Sequence, residues 1–149
     1  MDEQALGTTT VVQIGVVVRD LDSKVRAWRD LFGLPAPEIK ITDPNTFPNA
    51  EYKGVPTSAT ARLAFFDLGQ VQLELIEPIG EPSTWKDKLD EGDEGLHHIA
   101  FHVKRIHDRV AFLVSKGLPL IQRGDFPGGS YAYLDGAQQL GLILELLDF

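Results

Sequence analysis

The chain of 149 residues has no cysteine, which removes disulfides, a thiolate zinc site and a cysteine nucleophile from consideration. Basic charge is scarce as well. Lys and Arg total 14 against 22 Asp and Glu, a net charge of −8. A nucleic-acid-binding chain presents a basic face that neutralises phosphates, and no dense basic run occurs here, so nucleic acid is not an expected partner. A long hydrophobic run is missing too. The longest apolar stretch, Val11 to Val18, is interrupted by Gln13 and is too short to span a bilayer. The start, Met1-Asp2-Glu3-Gln4, is acidic and lacks the basic region of a secretory signal. The expectation is a cytoplasmic protein that needs neither membrane nor disulfide.

What is present describes an ordinary globular domain. Hydrophobic residues make up 43% and charged ones 24%, and the length suits one domain with a substantial core. Residues 1–10 read as a polar tail and 11–149 as the domain. Val11–Arg19 reads as a strand from its β-branched content. Leu21, Val25, Trp28 and Leu31/Phe32 then recur at helical spacing behind Asp20 or Asp22, and Gly33 ends the helix. The stretch from Pro35 to Ser58 carries five prolines and reads as an irregular excursion. Strands are expected at Ala59–Asp67 and Val71–Glu77, and a short helix over Ser83–Glu91.

The pattern then restarts. Leu96–Lys104 is a strand, Ile106, Val110, Leu113 and Val114 line a helix that stops at Gly117, and Tyr131–Leu134 and Leu142–Leu147 are strands. Adding 85 to residue numbers near the first strand carries Ile14 to Ile99, Val18 to Val103 and Val25 to Val110. Ala64-Phe65-Phe66-Asp67 resembles Ala132-Tyr133-Leu134-Asp135, and Leu73-Glu74-Leu75-Ile76 lies over Leu144-Glu145-Leu146-Leu147. The ordered series indicates a duplicated βαβββ module, one copy over 11–80 and one over 96–149, joined by a connector at 81–95.

Side chains alternate along a strand, so parity sorts them into two faces. Ile14, Val16 and Val18 share one face with Ile99, Phe101 and Val103 as counterparts; Gln13 and His98 occupy the other. In the last strand of each module the leucines face the helices, which leaves Glu74 and Glu145 opposite. A buried carboxylate without a partner costs several kcal/mol or neutralises itself. An exposed sheet face would explain either glutamate alone. It does not explain why equivalent positions carry Gln13, Glu74, His98 and Glu145, an amide, two carboxylates and an imidazole, all competent metal ligands. If the two sheets curl into a cup, the four converge on one divalent ion.

Three strings carry a family resemblance: Gln13-Ile14-Gly15-Val16-Val17-Val18-Arg19-Asp20-Leu21, Gly95-Leu96-His97-His98-Ile99-Ala100-Phe101 and Leu142-Ile143-Leu144-Glu145-Leu146. They resemble the vicinal oxygen chelate superfamily, which holds glyoxalase I, methylmalonyl-CoA epimerase, extradiol dioxygenases and bleomycin-type resistance proteins. The resemblance implies an α+β fold in which two βαβββ modules form a curved, cup-shaped mixed sheet with helices on the convex side. It further implies a homodimer and one metal site at Gln13, Glu74, His98 and Glu145, with Glu145 as ligand and base and Glu74 as its partner across the site. The ligand types are similar to those of glyoxalase I, whereas Leu73-Glu74-Leu75-Ile76-Glu77-Pro78 resembles the epimerase. Val17 stands where glyoxalase I carries a glutathione-binding arginine and Pro78 where it carries an asparagine. Gln13 stands where the epimerase usually has His.

The donor set suits Zn²⁺, Ni²⁺, Co²⁺, Mn²⁺ or Fe²⁺. Such an ion, holding a carbonyl and its neighbouring oxygen, acidifies the C–H between them and stabilises an enediolate or enolate. The function expected is a metal-dependent isomerase or lyase of the glyoxalase/epimerase type acting on a small molecule. The alternatives are an extradiol-type dioxygenase, which uses two His and one carboxylate, and a non-catalytic binding or resistance protein of the same fold. His102, Arg62 and Tyr133 are candidate substrate contacts. Parity turns His97 toward the helices, as a structural residue. Trp28 lies on the helical stripe as core, and Trp85 either covers the cup mouth or packs over the domain.

Overall fold

The computed structural model describes residues 5–149, so the first four residues of the polar tail lie outside the described region. Strand β1 (Val11–Val17) leads to helix α1 (Leu21–Phe32), followed by β2 (Glu38–Ile41), β3 (Glu51–Tyr52), β4 (Val55–Pro56), β5 (Thr60–Asp67) and β6 (Gln72–Ile79). Helix α2 (Thr84–Glu91) connects to β7 (Gly95–His102), α3 (Ile106–Ser115), β8 (Leu120–Phe126), β9 (Gly129–Leu134), α4 (Ala137–Leu140) and β10 (Ile143–Asp148). The strands form one mixed sheet in the order β2-β5-β6-β1-β7-β10-β9-β8-β3-β4.

The duplication is written into that order. At the centre β1 and β7 run antiparallel, and each is flanked by the last strand of its own module in parallel, β6 beside β1 and β10 beside β7. Outward from there β5 matches β9 and β2 matches β8, each pair antiparallel to its inner neighbour. This is the expected α+β fold of two βαβββ units curled into a half-barrel.

Alternation decides which face each residue serves. Ile14, Val16, Ala64, Phe66, Leu73 and Leu75 pack with Leu21 and Val25 of α1 on the convex side. Their counterparts Ile99, Phe101, Ala132, Leu134, Leu144 and Leu146 pack with Ile106, Val110 and Leu113 of α3. Leu75 and Leu146 are fully buried, each contributing about 2–3 kcal/mol of transfer free energy. Helix α1 starts where Asp20 accepts a hydrogen bond from the Ser23 N–H at 3.3 Å. It stops at Gly33, whose φ of 66° only glycine adopts without strain. Trp28 is half-buried at the edge of this cluster and stacks on the exposed Phe32 ring at 5.1 Å.

The proline-rich excursion is less irregular than expected. It contains β2 at one edge of the sheet and the β3–β4 pair at the other, where Glu51 lies opposite Arg123 and Tyr52 opposite Gln122. Residues 42–50 therefore cross the open side of the cup from edge to edge. The Asp125 N–H donates to the Pro48 carbonyl at 3.0 Å and fixes the far end of this strap. Helix α2 serves the concave side: Trp85 is buried there against Val17, Leu63, Ile76 and Tyr133.

Candidate metal centre

Four of the polar side chains that parity placed on one face do meet. Gln13 lies on β1, Glu74 on β6, His98 on β7 and Glu145 on β10, the four central strands, and all are buried. His98 Nε2 is the focus, 2.9 Å from Gln13 Oε1, 3.1 Å from Glu145 Oε1 and 3.6 Å from Glu74 Oε1. Ligand atoms of Glu74, His98 and Glu145 all lie within 4.8 Å of one another. Glu74 Oε1 and Glu145 Oε1 are buried without a completed hydrogen bond, a costly state for a carboxylate oxygen.

Local strand chemistry brings this about. Gly15 lies opposite His98, whereas the next pair is Val16 with Leu96, so His97 is an extra residue in β7. Such a bulge turns neighbouring side chains to one face, and His97 and His98 both pack on the Tyr133 ring, at 5.0 and 5.2 Å. This corrects the strict alternation that would send His97 to the helices. The His98 ring lies directly over Gly15: a Cβ on that residue would sit 2.0 Å from His98 Cε1. Only glycine leaves room for the imidazole.

A hydrogen-bonded chain holds each first-strand donor. The Gln13 amide nitrogen donates to Gln72 Oε1 at 2.7 Å, which aims the Gln13 oxygen at His98. His98 Nδ1 lies 2.8 Å from His97 Nδ1, and His97 Nε2 lies 3.1 Å from the Thr84 hydroxyl. The Thr84 N–H in turn donates to Gln122 Oε1 at 2.8 Å, and the Gln122 amide donates to the Tyr131 hydroxyl at 3.2 Å. His98 Nδ1 faces the His97 ring while Nε2 faces Gln13 and the two carboxylates, the division between supporting contact and ligand atom that a metal-ligating histidine requires.

The electrostatics are those of a site short of positive charge. Burial, then the neighbouring Glu145 carboxylate, push the Glu74 carboxyl up to about 8, against a smaller opposing pull from His98. Burial alone would lower His98, but the Glu145 and Glu74 carboxylates outweigh it and raise its pKa. His97 is held well below the ordinary histidine range by burial and by His98, so it is neutral. The donor set of two carboxylates, one imidazole and one amide oxygen fits a divalent cation.

Above the four donors a cavity of about 500 Å³ opens, with Gln13, Glu74, Glu145, Trp85 and Tyr133 among its walls. Tyr133 therefore lines the site as a candidate contact, its hydroxyl accepting from Trp85 Nε1 at 3.1 Å. Trp85 forms part of the wall rather than a cover at the mouth. Two other candidate contacts lie elsewhere. Arg62 shares the face of Ala64 and Phe66, which is the convex one, and pairs there with Asp22 at 3.1 Å and Glu77 at 3.3 Å. His102, beyond the last central position of β7, stacks on Phe149 at 4.3 Å and bonds its carbonyl. Sequence reasoning missed Gln72 and His97 as supports. Gln72 was findable, since it shares Glu74's parity and falls opposite Gln13 in the parallel register; His97 was not, because a bulge leaves no mark on alternation.

Comparison with known proteins follows the same lines. A family model described as the Glyoxalase/Bleomycin resistance protein/Dioxygenase superfamily matches residues 12–133. The uncharacterized protein YqjC of Bacillus subtilis is 34% identical over 91 residues, 58% of this chain and 64% of that protein, so the chain spans less than two thirds of that relative. A 2-epi-5-epi-valiolone epimerase of an Actinomyces species is 28% identical over 150 residues, covering 95% of this chain and 80% of the relative. Among solved structures, a Streptomyces coelicolor methylmalonyl-CoA epimerase in complex with 2-nitronate-propionyl-CoA superposes with a TM-score of 0.71 at 23% identity over 94% of this chain and 96% of that one. The Mycobacterium tuberculosis methylmalonyl-CoA epimerase gives 0.69 at 20% identity, over 98% and 93%.

Proposed function

The chain belongs to the Glyoxalase/Bleomycin resistance protein/Dioxygenase superfamily, and from that premise we propose that it is a metal-dependent isomerase of the epimerase type acting on a small hydroxy-carbonyl compound. The observation that carries this reading is the pair of buried carboxylate oxygens, on Glu74 and Glu145, that face His98 Nε2 without a hydrogen-bond donor of their own. A relative named as an epimerase supports the reaction class.

Gln13, Glu74, His98 and Glu145 would hold the ion. When bound, a divalent cation supplies Lewis acidity that lowers the pKa of a C–H beside a carbonyl. The remaining work falls to the protein. Glu145 takes the proton from that carbon, and Glu74, on the opposite side of His98, returns one to the other face of the planar carbon. In the metal-free site burial pushes the Glu74 carboxyl up to about 8; Glu74 would carry a proton only while it is not ligating the ion, and that unligated state is the one from which it donates. Trp85, Leu63 and Phe65 in the cavity wall exclude water around the exchanging proton.

Proton NMR in D₂O of the zinc- or cobalt-loaded protein with α-hydroxyketones, 2-oxoaldehyde hemithioacetals and CoA esters tests the proposal. Enzyme-dependent loss of the C–H signal beside a carbonyl is expected, and Glu145→Gln slows it by about a hundredfold or more. Oxygen uptake with catechols and no exchange would replace the reading with a dioxygenase; a protein that takes up no divalent metal would end it.

A further inference from the structure

The charge and surface chemistry of the cavity narrow the substrate class. Among the described residues lining it there is one cation, Lys40, and three carboxylates, Glu38, Glu74 and Glu145. Lys40 is exposed and already paired: its ammonium lies 3.3 Å from Glu38 Oε1 on the same strand and 6.0 Å from the Phe65 ring. Arg123, the arginine under the strap, is likewise taken, at 2.7 Å from Asp125 Oδ1 and 3.2 Å from the Asn49 carbonyl. Aromatic rings of Phe47, Phe65, Trp85, Phe126, Tyr131 and Tyr133 form part of the wall, together with prolines and small residues.

Phosphate recognition needs unpaired Arg or Lys donors or a cluster of backbone N–H groups, because each anionic oxygen must recover the hydration it gives up. The cavity offers neither. The whole chain carries −8, so a polyanion approaching from solution meets an unfavourable field that added salt screens. A volume of about 500 Å³ encloses a compact molecule whole but only the acyl end of a coenzyme A ester, whose phosphates would lie outside it. Ring faces and aliphatic C–H groups gain contact with the aromatic walls at no electrostatic cost.

We infer that the cavity takes an electrically neutral hydroxy-carbonyl compound with a ring or other apolar body, and that it selects against phosphate-bearing substrates such as CoA esters. This rests on the enolising reading of the same site, but it concerns the body of the substrate rather than the reaction.

Calorimetric titration of the zinc-loaded protein with 2-hydroxyacetophenone, 2-hydroxycyclohexanone and propionyl-CoA tests it. The neutral ketones bind at least about tenfold more tightly than propionyl-CoA, with little change in Kd from about 50 to about 500 mM NaCl. Glu38→Lys, at an exposed position, releases Lys40 and adds a cation, and raises propionyl-CoA affinity about tenfold at low salt. Propionyl-CoA binding as tightly as the ketones, or an unchanged affinity in Glu38→Lys, overturns the inference. The two readings fail separately. A ketone that binds but exchanges no proton sinks the enolising mechanism alone, whereas exchange on a tightly bound CoA ester sinks the charge selection alone.

Discussion

Glu74→Gln sets stability against metal binding, and the opposition can be worked from the geometry. In the metal-free protein the Glu74 carboxyl titrates at about 8 when folded, against 4.5 for an ordinary glutamate. The folded state therefore holds this proton more tightly than the unfolded chain. Its contribution to stability is present in full below the unfolded value, declines as pH rises between the two, and has reached its floor above about 8. The ceiling on that loss is about 5 kcal/mol. The amide has the same shape and no charge, so Glu74→Gln removes the loss. The cost in return is small, about 1 kcal/mol or less, because Glu145 Oε1, buried without a hydrogen bond of its own and within 4.8 Å, is an acceptor for the new amide hydrogens.

The net expectation is a crossover. Near pH 5 the EDTA-treated variant matches the wild type or falls slightly below it. Near pH 9 it is more stable by about 2 kcal/mol or more, which for a chain of this length is about 5 °C in Tm. Saturating zinc or cobalt reverses the order, because the metal replaces the missing positive charge only where both carboxylates remain. Urea melts at the two pH values, with and without metal, measure all four differences. The reasoning is refuted if the apo-state difference between variant and wild type does not change between pH 5 and 9. It is equally refuted if metal stabilises both proteins to the same extent.

Two further substitutions test how the donors are held. Gly15→Ala places a methyl where the His98 ring lies, 2.0 Å from Cε1; metal affinity falls by about a hundredfold while the secondary structure persists, as read by cobalt absorption and far-UV circular dichroism. His97→Leu removes the ring that meets His98 Nδ1 at 2.8 Å, so zinc affinity, read by competition with a chromophoric chelator, drops about tenfold or more; His97→Gln, which keeps a hydrogen-bonding partner there, restores it.

The fold was readable because its two periods are clean. Leu73 and Leu75 flank Glu74, and Leu144 and Leu146 flank Glu145, so parity assigned both glutamates to the face opposite the leucines. The duplication then placed Gln13 and His98 beside them. Three kinds of position escaped. Strand β2 is exposed at all four residues, so no apolar alternation marks it, and it exists only because β5 offers an edge. Strand β8 carries Gln122, Arg123, Gly124 and Asp125 in its middle, a composition that reads as loop, and its pairing with β9 slips between Leu120 and Gln122. Arg62 shows the limit of parity itself: the face was identified by Ala64 and Phe66, but whether those residues look into the cup or onto α1 is settled by packing.

The site also shows what a duplication leaves for later divergence to supply. Gln13 and His98 are equivalent residues of the two modules, as are Glu74 and Glu145, so the four donors straddle the pseudo-twofold axis between β1 and β7. The residues that aim them are not equivalent. Gln72 orients Gln13, and its counterpart in the second module is Ile143; His97 orients His98, and its counterpart in the first is Val12. The surroundings of the two carboxylates differ in the same way. Phe65 lies opposite Glu74 in the ladder, whereas Tyr133, with a hydroxyl bonded to Trp85, lies opposite Glu145. Symmetry brings two carboxylates to one site, but the proposed exchange of protons between opposite faces of a substrate needs them to play unequal parts. A phenyl ring beside one and a phenol beside the other make the two carboxylates inequivalent, as that exchange requires.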